Sequence, residues 1–172
     1  KAVRCVFILK PDGSIDSIKK FDTGVAGDNG LSTPTAYDSN GDGKIDYVYA
    51  GDLKGNVWKF DLSGASDTAW VIANSGSAMF VAKDSANAPQ TITSPMSIEV
   101  NNVAGDPPNG KRYVFFGTGS YFRTGDPADS QVNTWYALID EAATISARSD
   151  LKQRTVSTTT TFDGKKVRTF SA

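Results

Sequence analysis

Two stretches of this 172-residue chain repeat one another at three anchors in the same order, and that repetition narrows the architecture more than any composition figure. Thr33-Pro34-Thr35-Ala36-Tyr37 answers to Ser94-Pro95-Met96-Ser97-Ile98, Tyr47-Val48-Tyr49-Ala50-Gly51 to Tyr113-Val114-Phe115-Phe116-Gly117, and Asn56-Val57-Trp58 to Asn133-Thr134-Trp135. Phe21-Asp22, Phe60-Asp61 and Ile139-Asp140 close three such units, at spacings near one and two lengths of a propeller blade of roughly 40 residues. A repeated sheet unit cannot cover its own faces and must stack against a similar one. The pattern therefore predicts an all-β chain, a β-propeller of modified blades that is incomplete or excised from a larger ring. Residues 1–140 are expected to supply one partial and two fuller blades, and residues 141–172 a connecting segment and terminal hairpin of the same domain.

The local pattern agrees with that architecture. Short runs rich in Val, Ile, Phe, Tyr and Trp alternate with Gly, Asp and Asn clusters, and almost nothing before residue 140 carries a helical period. Residues 3–9 and 15–21 flank Pro11-Asp12-Gly13, and residues 47–50 and 57–62 flank Asp52-Leu53-Lys54-Gly55-Asn56; both read as antiparallel hairpins. Residues 156–162 and 166–170, joined around Asp163-Gly164, read as another. Pro34 and Pro95 suit the first residue of a strand, where no ladder donor is needed. Trp58 and Trp135, at one place in each repeat, are expected to pack between blades. The segment 141–151 is expected to be a short helix or loop. Cys5, in an alternating run, reads as a buried strand thiol, the alternative being a disulfide to a cysteine outside this chain.

Composition removes whole classes of function. Eighteen Lys+Arg against nineteen Asp+Glu leave a formal net charge of -1, so there is no basic field to attract nucleic acid and no such partner is expected. The apolar runs fall far short of the about 18 residues that span a bilayer, so no transmembrane segment is expected, and no signal-peptide pattern opens the chain. The chain opens on Lys1 in place of Met and enters a strand-like run almost at once, as a part of a longer protein would. With no histidine and a single cysteine, Ser-His-Asp and Cys-His triads, histidine zinc sites and four-cysteine ribbons are impossible within it. No carboxylate pair can be assigned to glycosidase work, and the expectation is a protein that is not an enzyme.

One motif carries specific chemistry: Asp38-Ser39-Asn40-Gly41-Asp42-Gly43-Lys44-Ile45-Asp46. Side-chain oxygens stand at loop positions 1, 3, 5 and 9, a glycine at position 6 permits a sharp turn, and Lys44 at position 7 offers its backbone carbonyl, the order in which a calcium loop wraps a hard cation. The twelfth position is Tyr49 where an EF-hand has Glu, so a helix–loop–helix site is disfavoured. The motif fits a loop joining a strand at 35–37 to one at 47–50, similar to the calcium hairpins of integrin-type FG-GAP propellers. The ligand set is Asp38, Asn40, Asp42 and Asp46 with the Lys44 carbonyl, and calcium is favoured over magnesium, which keeps its waters. The alternative is a polar Asn-Gly and Asp-Gly turn without a metal. A loop that commits most of its donors to holding an ion has a structural or affinity-setting role in preference to a catalytic one.

Beyond the motif, Gly30-Leu31-Ser32-Thr33-Pro34-Thr35 and the run Tyr47-Val48-Tyr49-Ala50-Gly51-Asp52-Leu53-Lys54-Gly55-Asn56-Val57-Trp58-Lys59-Phe60-Asp61-Leu62 resemble the type IV pilus tip-associated adhesin family, PilC/PilY. Phe115-Phe116-Gly117-Thr118-Gly119 with Tyr121, Arg148-Ser149-Asp150-Leu151 and Val167-Arg168-Thr169 are similar to later signatures of that family. The resemblance implies a C-terminal propeller of about seven modified blades, with a calcium loop on Asp38, Asn40, Asp42 and Asp46. It also implies a place at the pilus tip or on the bacterial outer surface, support of pilus extension against retraction, and attachment. Minor pilins or other tip components, and host-cell surface receptors, would be the partners. The chain is shorter than such a ring and lacks the family's N-terminal adhesive domain. Two rivals share the strand pattern: a quinoprotein-type dehydrogenase propeller, whose hairpins have the form Asp52 to Gly55 to Trp58, and an FG-GAP-like surface protein unrelated to pili.

Overall fold

Alternating apolar residues between Gly and Asp turns give antiparallel ladders throughout the computed structural model, which describes residues 3–9, 12, 14–105, 110–140, 145–157 and 159–171, with residues 3–9 and 17 by backbone alone. Strands β1 (Val3–Leu9) and β2 (Ile15–Asp22) form the first hairpin, in a register running from Val3↔Asp22 to Ile8↔Ser17. The side chain of Cys5 lies outside the described residues. A middle sheet follows, ordered β3 (Thr35–Tyr37), β4 (Tyr47–Gly51), β5 (Asn56–Asp61) and β6 (Val71–Ile72), with β7 (Phe80–Val81) pairing the other half of β5. The last of the three larger units is β8 (Ser97–Val100), β9 (Arg112–Gly117) and β10 (Trp135–Ile139), with β9 central. Finally β11 (Thr160–Phe162) and β12 (Lys165–Val167) pair across Asp163 and Gly164, whose φ of 51° and 69° are the left-handed values a two-residue hairpin turn needs. Among the described residues this last hairpin is shorter than the sequence suggests, and an isolated bridge between Val156 and Phe170 continues it. In the connecting segment a 3-10 turn spans Arg148–Asp150; residues 141–144 are outside the described ones.

Because side chains alternate along a strand, the middle sheet has two different apolar faces and buries both. Ala50, Trp58 and Phe60 face the first hairpin, where Phe21 packs on Phe60 at 5.1 Å between ring centroids. Tyr49 and Val57, both 0% exposed, face the other way and pack with Val114, Phe116, Tyr136 and Leu138 of the last sheet.

The ladders correct the sequence alignment of the repeats. Gly51 pairs with Val57 and Ala50 with Trp58, whereas Gly117 pairs with Trp135 and Phe116 with Tyr136. The counterpart of Trp58 is therefore Tyr136, and Trp135 is the counterpart of Val57. A slip of one residue moves a side chain to the opposite face of a sheet: Trp58 is 3% exposed and belongs to the core as expected, but Trp135 is 63% exposed and does not. At the far end the slip runs in the other sense. Tyr47 pairs with Asp61 and Tyr113 with Ile139, so Asp140 stands one position beyond the counterpart of Asp61.

Two buried carboxylates hold this arrangement. Asp52, 0% exposed, accepts on Oδ1 from the backbone N–H groups of Lys54 and Asn56 at 2.9 and 3.0 Å, and on Oδ2 from Asn29 Nδ2 at 2.9 Å and Trp58 Nε1 at 3.0 Å. It closes the β4–β5 turn and fixes the indole beneath it. Gly55 in that turn has φ of 80°, and a Cβ there would meet the Ala82 carbonyl at 2.6 Å, so no other residue fits. Asp140 joins the middle and last sheets. Its Oδ2 accepts from the Tyr49 hydroxyl at 2.6 Å, Lys59 Nζ at 2.8 Å and Arg112 Nη1 at 2.9 Å, and its side chain is 2% exposed. Burial, then the hydrogen bond and charge of Asp140, push the Tyr49 phenol above its ordinary range, so it remains the donor.

Replacing Asp52 by Ala strands several buried donors at once and is expected to cost about 3 kcal/mol, read from the urea midpoint at unchanged m-value. Tyr49→Phe keeps the ring packing but removes one donor to Asp140 and one acceptor for Arg112, with an expected loss of about 1–2 kcal/mol by the same measurement.

Candidate metal centre

The residues singled out by the sequence occupy the connection between β3 and β4, whose ends Tyr37 and Tyr47 pair directly. The base of the loop is pinned to three strands. The Asp46 N–H donates to the Tyr37 carbonyl at 3.0 Å, and the Asp46 carbonyl accepts from the Leu62 N–H, just past β5, at 2.7 Å. Asp46 is accordingly buried, while Asn40, Asp42 and Lys44 are exposed.

Within the loop each oxygen-bearing side chain folds back over the backbone. Asp38 Oδ1 accepts from the N–H groups of Asn40 and Gly41 at 3.2 and 2.7 Å, and its Oδ2 from Gly43 N–H at 2.8 Å. Asn40 Oδ1 accepts from Asp42 N–H at 2.9 Å and Asp42 Oδ1 from Lys44 N–H at 2.8 Å. Asp46 Oδ2 accepts from both the N–H and the hydroxyl of Ser39. Donation by these backbone groups, Gly43 foremost, holds the Asp38 carboxyl below the ordinary carboxylate value. Gly41 and Gly43 take φ of 76° and 85°, and no heavy atom lies within 4 Å of a Cβ built on either, so conformation and not space demands glycine there.

The donor set is chemically suited to a hard cation: three carboxylates, one amide oxygen and one peptide carbonyl, with no nitrogen or sulfur ligand. Among the described residues the loop's hydrogen bonds use Oδ1 of Asp42 and Oδ2 of Asp46, leaving the second oxygen of each and the Lys44 carbonyl as acceptors. The carboxylates are not gathered into a closed cage: among the described residues no three of His, Cys, Asp and Glu stand close enough to hold an ion by themselves. Coordination therefore calls for the asparagine and carbonyl oxygens and for a contraction of the exposed arc 40–44 toward Asp46.

A cleft of about 760 Å³ opens elsewhere, between β2, β5 and β6, lined by Lys19, Lys20, Tyr47, Lys59 and Trp70 among others; none of the loop's donors reaches it. Sequence reasoning missed Ser39, although its hydroxyl stands beside Asp38 in the motif. It also read Asp52 only as a turn residue, and the spacing from Asp52 to Asn56 and Trp58 was the available signal. For Asp140 and Tyr49, 91 positions apart, there was none.

The family pattern described as the PilY1 beta-propeller domain matches residues 1–166. A type IV pilus biogenesis factor PilY1 homolog of Xylella fastidiosa is 33% identical over 144 residues, covering 81% of this chain and 9% of that protein. The type IV pilus biogenesis factor PilY1 of Pseudomonas aeruginosa is 39% identical over 132 residues, covering 66% of this chain and 11% of its own length. The crystal structure of the Pseudomonas aeruginosa PilY1 C-terminal domain superposes with a TM-score of 0.72 at 31% identity, covering 98% of this chain and 40% of that one. This chain thus spans a small part of the relatives and less than half of the solved domain.

Gly43→Ala forces a side chain into the left-handed region and is expected to lower stability by about 1 kcal/mol without any metal. Gly125→Ala, at φ of -84°, is the control and is expected to be neutral or slightly stabilising, both read by urea denaturation.

Proposed function

The chain belongs to the PilY1 β-propeller domain family, and on that premise we propose that it is part of a roughly seven-bladed propeller of a type IV pilus biogenesis factor, carrying a calcium site in the loop 38–46. Residues 1–140 supply one partial and two fuller blades, and residues 141–172 the connection and terminal hairpin of the same domain. The role is non-enzymatic: support of pilus extension and attachment at the pilus tip or outer surface of the bacterium, with minor pilins or other tip components as partners and host-cell surface receptors as targets of attachment. Among the described residues no helix is long and apolar enough to cross a membrane.

The observation that supports the calcium reading is the alternation of oxygen donors in a loop whose base is pinned to β3, β4 and the end of β5. Asp38, Asn40, Asp42 and Asp46 with the Lys44 carbonyl would hold the ion, and bound calcium would neutralise three carboxylates that otherwise repel one another. Asp46 directly precedes β4, and β4 carries Tyr49 into the contact with Asp140. Order in the loop is thereby coupled to the seam between the middle and last sheets, and through it to the surface offered to pilus components.

At a hundredfold excess over Kd calcium is expected to raise Tm by about 5 °C or more, and Asp42→Ala to abolish that shift without lowering the metal-free Tm. A melting curve of the unmutated chain that is indifferent to calcium and to chelator removes the calcium reading.

A further inference from the structure

We propose that the face of the last sheet carrying Tyr113, Phe115 and Trp135 is a seam for one further propeller blade, and that this blade meets it with an apolar face free of buried charge. The inference rests on the propeller reading above and adds which surface continues the ring and what chemistry it accepts.

The middle sheet shows what such a face is for. Its Gly51↔Val57, Tyr49↔Lys59 and Tyr47↔Asp61 pairs correspond to Gly117↔Trp135, Phe115↔Ala137 and Tyr113↔Ile139 of the last sheet. On the middle sheet this face is covered by the last sheet, and Tyr49 and Val57 are 0% exposed. On the last sheet the same face is bare: Trp135 is 63% exposed, Ala137 is exposed and Phe115 is only half-buried. The bare rings form a flat strip across β9 and β10, Tyr113 stacking on Phe115 at 5.8 Å and 9° and Phe115 on Trp135 at 5.4 Å and 19°. Ser97 and Glu99 of β8 border it. A contiguous exposed aromatic strip marks an interface. An interface that joins unlike faces leaves one unused face at the end of each array and repeats until the ring closes. The solved PilY1 domain extends well beyond the 40% that this chain covers, which is room for the missing blade.

The chemistry of the partner follows from two substitutions within the repeat. Tyr49 and Lys59 supply the hydroxyl and ammonium that receive Asp140, whereas their counterparts are Phe115 and Ala137. A carboxylate brought in at the place equivalent to Asp140 would be buried without those donors, which costs several kcal/mol. The incoming face must instead be apolar, with side chains large enough to fill the space above Ala137 and Gly117.

The test places a thiol at the centre of the strip, Ala137→Cys in a Cys5→Ser background, with Val103→Cys, 61% exposed and off this face, as control. Alkylation of the peptide holding each position is followed by mass spectrometry in this 172-residue chain and in the protein expressed from its complete open reading frame. At position 137 the rate is expected to match that of an open thiol in the former and to fall about tenfold or more in the latter, with no change at position 103. Equal rates at position 137 overturn the proposal. So does protection of the 172-residue chain that grows with its concentration, because a second copy then takes the face. So does competition by soluble oligosaccharide in the complete protein, which makes the strip a saccharide platform. Electron cryo-microscopy of the complete protein separates the two readings: a propeller in its density together with a reactive thiol at position 137 overturns the seam alone, and the absence of a propeller removes the earlier reading itself.

Discussion

A short antiparallel sheet built from alternating residues has two faces, and in this chain both are apolar, so each sheet depends on a neighbour for burial. The middle sheet resolves that constraint on both sides, with Phe21 against Phe60 on one and Tyr49 among Val114, Phe116 and Tyr136 on the other. Most of the second seam is apolar, and its exception is informative. Asp140 is almost fully buried yet faces two cations and a hydroxyl, so its desolvation is offset by charge-assisted hydrogen bonds from Lys59, Arg112 and Tyr49. Apolar contact is tolerant of sliding, whereas a carboxylate that must meet three fixed donors is not. Lys59 and Arg112 also lie over the Tyr47 ring at 4.3 and 4.6 Å, which fills the space around the latch with cation–π contact.

Strand β4 runs between two aspartate-rich turns that solve different problems with similar local bonding. At its end Asp52 is enclosed, and its oxygens are engaged by Asn29, Lys54, Asn56 and Trp58. At its start the three carboxylates of 38–46 also accept from nearby N–H groups, but Asp42 stands in the exposed arc, and it and Asp46 each keep one oxygen that no hydrogen bond of the loop engages. The first turn satisfies itself with protein donors and is structural. The second concentrates negative charge that its own N–H groups only partly balance, which is the property a hard cation exploits. Tyr49 lies between them, so whatever orders the loop acts on the strand that carries the inter-sheet latch.

Much of this was legible residue by residue. The hairpins flanking 11–13 and 52–56 follow from alternation broken by Pro, Gly and Asp, and the connection 38–46 follows from oxygen donors at alternate positions with glycine at the sharp turns. Trp58 was correctly placed in the core, and Trp135 was not. The two tryptophans follow similar tripeptides, Asn56-Val57-Trp58 and Asn133-Thr134-Trp135, but the long loop before β10 delivers its strand one residue out of step with β5. Nothing in the neighbouring residues encodes that offset, because it is set by which hydrogen bonds β10 makes to β9.

By itself the sequence determined the quantities that depend on near neighbours: where strands begin and end, which turns demand left-handed glycine, which nine residues carry the oxygen donors, and which family the chain resembles. Tertiary structure alone decided which face each aromatic serves, that Asp140 and not Asp61 would be buried at the seam, and that Asp52 would be sealed from water. The physical reason is the two-residue period of a strand. Local propensity specifies that side chains alternate, but only the ladder to the next strand and the burial offered by the next sheet specify which of the two faces points inward.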